Sequence, residues 1–91
     1  MHAVVVRVKV SDVDRAQQML ESQVVPRVSG APGFKAGYWT RGSDGEEMNG
    51  LSMAVFDSED NARAAADRVR EMVPETVTLD SVEVREVVAS A

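Results

Sequence analysis

The chain has no cysteine, no isoleucine, three leucines, three prolines, four aromatic residues and a single histidine among its 91 residues. Each shortage excludes something. Without cysteine there is no disulfide, thiol nucleophile, zinc ribbon or iron–sulfur site. One histidine, at position 2, leaves no set for a His-rich metal centre or a Ser-His-Asp triad, so no metal is expected. A chain terminus is usually loose unless it is tied down, and His2 reads as a frayed terminal side chain. No basic run is present: eight arginines and two lysines are scattered among 15 acidic residues, giving a net charge of −5. That balance opposes the phosphate attraction on which nucleic-acid affinity rests, and no nucleic acid is expected as a partner. No apolar run approaches the length of a membrane span and no leader pattern precedes the first strand, so the cytoplasm is the expected compartment and no membrane contact is expected.

What is there is valine and alanine. Of 40 apolar residues, 17 are valine and 11 alanine. Residues 1–91 suit one domain, whose core must be built from valine strands and alanine-faced helices. Val4, Val6, Val8 and Val10 alternate with Val5, Arg7 and Lys9 and predict a first strand. Ser11 with Asp14 has capping-box spacing, and Val13, Ala16, Leu20 and Val24 predict a helix that Pro26 ends or kinks. Residues 34 to 41 predict a second strand, 42 to 47 a hairpin turn and 49 to 56 a third strand antiparallel to the second. Asp57 or Ser58 caps a second helix carrying Ala62, Ala65, Ala66 and Val69, which Pro74 stops. In the last strand the apolar phase moves from Val77 and Leu79 to Val82 and Val84, which predicts a bulge or turn near Asp80 and Ser81.

Strand, helix, strand, strand, helix, strand is the α+β, ferredoxin-like plan: a four-stranded antiparallel sheet with two helices on one face. Simple alternation puts Val4, Val6, Val8, Phe34, Ala36, Tyr38, Val82 and Val84 beneath the helices. It leaves Val5, Arg7, Lys9, Gly37, Trp39, Arg41, Glu83 and Arg85 on the bare face, with Phe56 and Ala54 as further candidates. That face is too apolar for open water in so small a protein. A second copy is the simplest cover, so a homodimer is expected, with Val5, Arg7, Trp39, Glu83 and Arg85 as interface candidates.

The segments VVPRVSGAPGFKAGYW and AVFDSEDNARAAADRV, with Ala-Pro-Gly-Phe at 31 to 34, resemble the dimeric α/β barrel superfamily in its antibiotic-biosynthesis-monooxygenase-like branch. The likeness spans nearly the whole chain. It implies a ferredoxin-like chain pairing into a dimeric barrel, and no cofactor. It further implies monooxygenase-like chemistry on an aromatic or quinol-like molecule, or, as the alternative, a non-catalytic dimer that binds a small ligand or serves as an accessory subunit. The active relatives often carry a tryptophan at the end of the third strand and a histidine on the second helix. Phe56 stands at the first place, and alanines such as Ala64 and Ala65 fill the second, which excludes haem ligation through that helix.

Five residues are substrate-binding candidates. Trp39 offers a flat surface and an indole donor, or an interface anchor. Tyr38 offers a phenol to the substrate cleft that the resemblance implies between sheet and helices, or caps the core. Asn49 offers an amide, or serves the nearby hairpin, as Asn61 serves its helical turn. Arg41 could hold an anion, or pair with an acid. Phe56 lies where the relatives keep their tryptophan.

Overall fold

A computed structural model describes residues 1–44, 47–72 and 77–91. Strands β1 (His2–Val10), β2 (Phe34–Asp44), β3 (Glu47–Phe56) and β4 (Val77–Glu86) form one antiparallel sheet in the order β2-β3-β1-β4. The first helix runs through α1 (Val13–Met19), a π turn (Leu20–Val24) and α2 (Val25–Ser29); the second is α3 (Glu59–Glu71). The arrangement is ferredoxin-like, as the element order predicts. Strands β2 and β3 run further into the hairpin than residues 42 to 47 suggest, and the turn residues 45 and 46 and the stop assigned to Pro74 lie outside the described residues.

Both helices start on short polar side chains. Asp12 Oδ1 accepts from the Arg15 amide at 3.1 Å, so Asp12, not Ser11, caps α1. Ser58 Oγ accepts from the Asn61 amide at 3.2 Å and caps α3. Pro26 does not end the first helix. The turn before it widens, with the Val25 amide bonding to the Leu20 carbonyl five residues back. Widening relieves the clash a proline ring makes with the preceding turn, and the helix continues through Pro26 to Ser29. In an α-helix four residues overshoot a full turn by about 40°. The π turn rotates less per residue, which keeps Ala16, Leu20, Val24 and Val28 facing the sheet.

The sheet has two register shifts. One lies in β4, where Arg7 pairs with Ser81 but Val8 with Leu79, leaving Asp80 as the extra residue, as the phase change predicts. The other is in β2: Phe34 pairs with Phe56 but Ala36 with Val55, so Lys35 is extra. This second bulge reverses simple alternation for the rest of β2. Gly37, Trp39 and Arg41, opposite Ala54, Ser52 and Gly50, lie on the helix side, while Ala36, Tyr38 and Thr40 lie on the bare side. The faces assigned to Ala36, Tyr38, Gly37, Trp39 and Arg41 by alternation are therefore exchanged. Phe56 and Ala54 also belong to the helix side, leaving Leu51, Met53 and Val55 on the bare one.

The core is small and lies under α3. Val4, Phe56, Ala62, Ala65 and Ala66 form its buried centre, and Phe34 meets Phe56 edge to face at 5.9 Å. Alanines let α3 approach the sheet closely. No residue of α1, the π turn or α2 is buried, so the first helix stands off the sheet. His2 opens β1 opposite Phe56 and Glu86, with Nε2 at 3.8 Å from Glu59 Oε2, so it is held in the sheet rather than frayed.

One turn ties the two helices together. Gly33 has φ 79°, its carbonyl accepts from the Asp57 amide at 2.9 Å, and Asn61 Nδ2 donates to Asp57 Oδ1 at 2.8 Å across it. A Cβ at Gly33 would overlap both Asp57 and Asn61. Gly33→Ala is expected to lower stability by about 2 kcal/mol or more, because it adds that overlap to an unfavourable φ. Urea unfolding followed by circular dichroism should show the midpoint falling by about 1 M or more.

Candidate functional site

The stand-off of the first helix opens a cleft between it and the sheet, in two connected chambers. The inner chamber, about 150 Å3, has a floor of Val4, Val6 and Ala54, an end wall of Phe56, and a roof of Leu20, Val24, Val28 and Ala65. Among the described residues, Ser52 is the only one with a hydroxyl that lines it. The outer chamber, about 200 Å3, shares Val8, Ala16, Leu20, Trp39, Ser52 and Val77 with the inner one and adds Gln17, Thr40 and Arg41. An apolar chamber of this size elsewhere stays dry and admits a benzene ring.

Trp39 is the wall common to both chambers. Its indole lies over Gly37, two residues earlier on the same side of β2: a Cβ at Gly37 would come within 2.8 Å of Trp39 Cη2 and 3.2 Å of Phe34 Cε2. Gly37 is thus the recess that lets the ring lie flat beside the chamber. Gly50 acts similarly on the floor, where a Cβ would meet Val8 Cγ2 at 2.9 Å.

At the outer rim, Arg41 Nη2 donates to Gln17 Oε1 at 2.8 Å, and Gln17 Nε2 donates to Glu21 Oε1 at 2.9 Å. The amide is oriented from both sides, its oxygen on the cation and its NH2 on the carboxylate. Arg41 therefore meets a neutral partner rather than an acid.

Of the substrate-binding candidates, Trp39, Arg41 and Phe56 line the cleft. Tyr38 is 68% exposed on the bare face, and Asn49 is exposed on that face opposite Lys9 and Gly42. Asn61 is occupied by the Asp57–Gly33 turn. Gln17, Ser52 and Gly37 belong to the site without a sequence motif to announce them. The spacing 16, 20, 24, 28 is the one legible trace of the π turn, since it exceeds the α-helical period. Gly37, two residues before the lone tryptophan, is the trace of the aromatic recess.

Among the described residues, no helix covers the opposite side of the sheet. Met53 stands between Val5 and Tyr38, and Leu51 between Arg7 and Thr40, with Leu51 45% and Met53 44% exposed. At its edge the Glu83 carboxylate accepts from Arg85 Nη1 at 2.6 Å and from Arg7 Nη1 at 3.3 Å. The Arg85 hydrogen bond is the main reason that carboxyl lies below the ordinary glutamate value, opposed by slight desolvation and reinforced by the Arg7 charge. Val5, Arg7, Glu83 and Arg85 do share this face. Trp39 does not.

No protein-family model and no curated protein matches the sequence. Solved structures match in fold. The crystal structure of HapK from Hahella chejuensis superposes with a TM-score of 0.70 at 8% identity, covering 100% of this chain and 96% of that one. A dimeric ferredoxin-like protein from an uncultured marine organism gives 0.62 at 10% identity, covering 100% and 98%. An ethyl tert-butyl ether d (ethd) family protein from Bacillus halodurans C-125 gives 0.61 at 14%, covering 96% and 99%. At such identities the likeness is one of fold.

Proposed function

We propose that the chain is a homodimeric α/β-barrel protein that binds a small aromatic molecule in the cleft between its sheet and first helix. One observation carries this reading: an apolar chamber of about 150 Å3, walled by Trp39 and Phe56, with a few polar groups at its outer end. The bare face of Tyr38, Leu51 and Met53 supports association with a second copy, as does the dimeric state named for the marine ferredoxin-like neighbour. Pairing through that face leaves both clefts on the outer sides of the sheets, open to ligand.

Binding is favoured over the monooxygenase-like version by what lines the cleft. Among the described lining residues none is a carboxylate, an imidazole or a lysine. An oxygenase without cofactor needs its substrate ionised before it meets oxygen. Here that ionisation would rest on the substrate's own acidity and on Arg41.

Because Trp39 is the chain's only tryptophan, its emission reports the cleft directly. Titration with ethylbenzene should change that emission saturably, and Ser52→Leu, which fills the chamber with an isobutyl group, should weaken the response by about tenfold or more. An unchanged emission in the wild type, or an unaltered titration in the variant, would overturn the reading. Oxygen uptake with a quinol above the protein-free rate would move the assignment to the monooxygenase-like alternative.

A further inference from the structure

We infer that the ligand of this cleft is an amphipathic anion: an apolar ring or short chain in the inner chamber, and a carboxylate or similar group at Arg41 on the outer rim. The inference rests on the binding reading above and adds the ligand's charge. Its first support is the polarity gradient along the cleft. Ser52 brings the only hydroxyl among the described residues of the inner chamber, whereas the outer one gains the Gln17 amide and the Arg41 guanidinium. A neutral hydrocarbon would use the first half and leave the second idle.

The second support is how Arg41 is held. Among the described residues, Arg7, Arg63, Arg70 and Arg85 are in ion pairs with glutamate or aspartate. Arg41 instead donates to the neutral oxygen of Gln17, which in turn is turned toward it by Glu21. The amide separates Glu21 from the guanidinium, so the cation is positioned without being neutralised by it. The remaining donors of its planar fork are of the kind that take a carboxylate. Thirdly, Arg41 and Trp39 alternate on the same side of β2, opposite Gly50 and Ser52. A ligand with its ring on Trp39 meets Arg41 one step along the strand, about 7 Å away, a span that two or three methylenes bridge.

Three probes with one apolar body separate the possibilities: 3-phenylpropionate, 3-phenylpropanol and 3-phenylpropylamine, titrated at pH 7 into the wild type and Arg41→Gln and followed by Trp39 emission and calorimetry. The wild type should bind the carboxylate about tenfold more tightly than the alcohol and more tightly still than the amine. The preference should shrink as salt is raised and fall to about one in Arg41→Gln. Equal binding of the three probes, or a preference that survives Arg41→Gln, overturns the anion assignment and leaves the cleft as an aromatic site. Failure of all three to bind overturns the cleft reading and this one with it.

Discussion

Met53→Asp should convert the proposed homodimer to a monomer in solution. Met53 sits on β3 between Val5 of β1 and Tyr38 of β2, at the middle of the bare face, and is 44% exposed in a single chain. A two-fold axis brings the same patch of both copies together, so one substitution puts two carboxylates into the interface. Each loses water without gaining a partner, at a cost of about 2 kcal/mol or more, and the pair together weaken association by about a hundredfold at least. Light scattering at micromolar concentration should read twice 9.9 kDa for the wild type and 9.9 kDa for the variant, with helical circular dichroism retained. Met53→Leu, which keeps the volume and the polarity, should remain dimeric. A wild type of single-chain mass, or a variant of double mass, removes the dimer.

The same face shows how far the sequence could be read. In β1 every second residue is valine, so the sorting of Val4, Val6 and Val8 from Arg7 and Lys9 follows from alternation alone. In β4 the bulge at Asp80 left its trace, because valines flank it on both sides and their phase changes. In β2 the bulge at Lys35 left none. Ala36 and Gly37 are too small to favour a face, and Tyr38 and Trp39 are neighbours that suit either one. One extra residue therefore moved the tryptophan from a supposed interface into the cleft and carried Tyr38 out to the bare face. The helical rod was legible as a helix, but not its continuation through Pro26, which depends on a π turn that propensity does not encode. The cleft itself is a difference between two helices. Alanines bring α3 down onto the sheet, while Leu20 and Val24 of the first helix line open space instead of packing on the core, and only packing in three dimensions reveals the gap.

Phe56→Ala should cost about 3 to 5 kcal/mol, a large share of the 5 to 15 kcal/mol by which a small domain is ordinarily stable. Phe56 has no exposed surface, meets Phe34 edge to face, and packs on Val4, Ala62, Ala65 and Ala66, so its loss empties the centre of the core. The residues around it are mostly alanine and valine, short and stiff, and cannot collapse into the space; the cost belongs toward the upper end of that range. Phe56 also forms the end wall of the inner chamber, so the vacated volume joins the cleft rather than closing as a separate void. Two measurements then move in opposite directions. Thermal unfolding should begin markedly lower than in the wild type, while a larger aromatic probe, naphthalene in place of ethylbenzene, should bind the variant better and raise its melting temperature more. At a hundredfold excess over its dissociation constant such a probe returns about 2.7 kcal/mol, roughly half of what was lost. Phe56→Leu, which keeps most of the volume, should show a smaller loss and no rescue by naphthalene. Destabilisation without rescue would place Phe56 in a core sealed from the cleft; rescue ties the stability of the fold and the capacity of the site to one side chain.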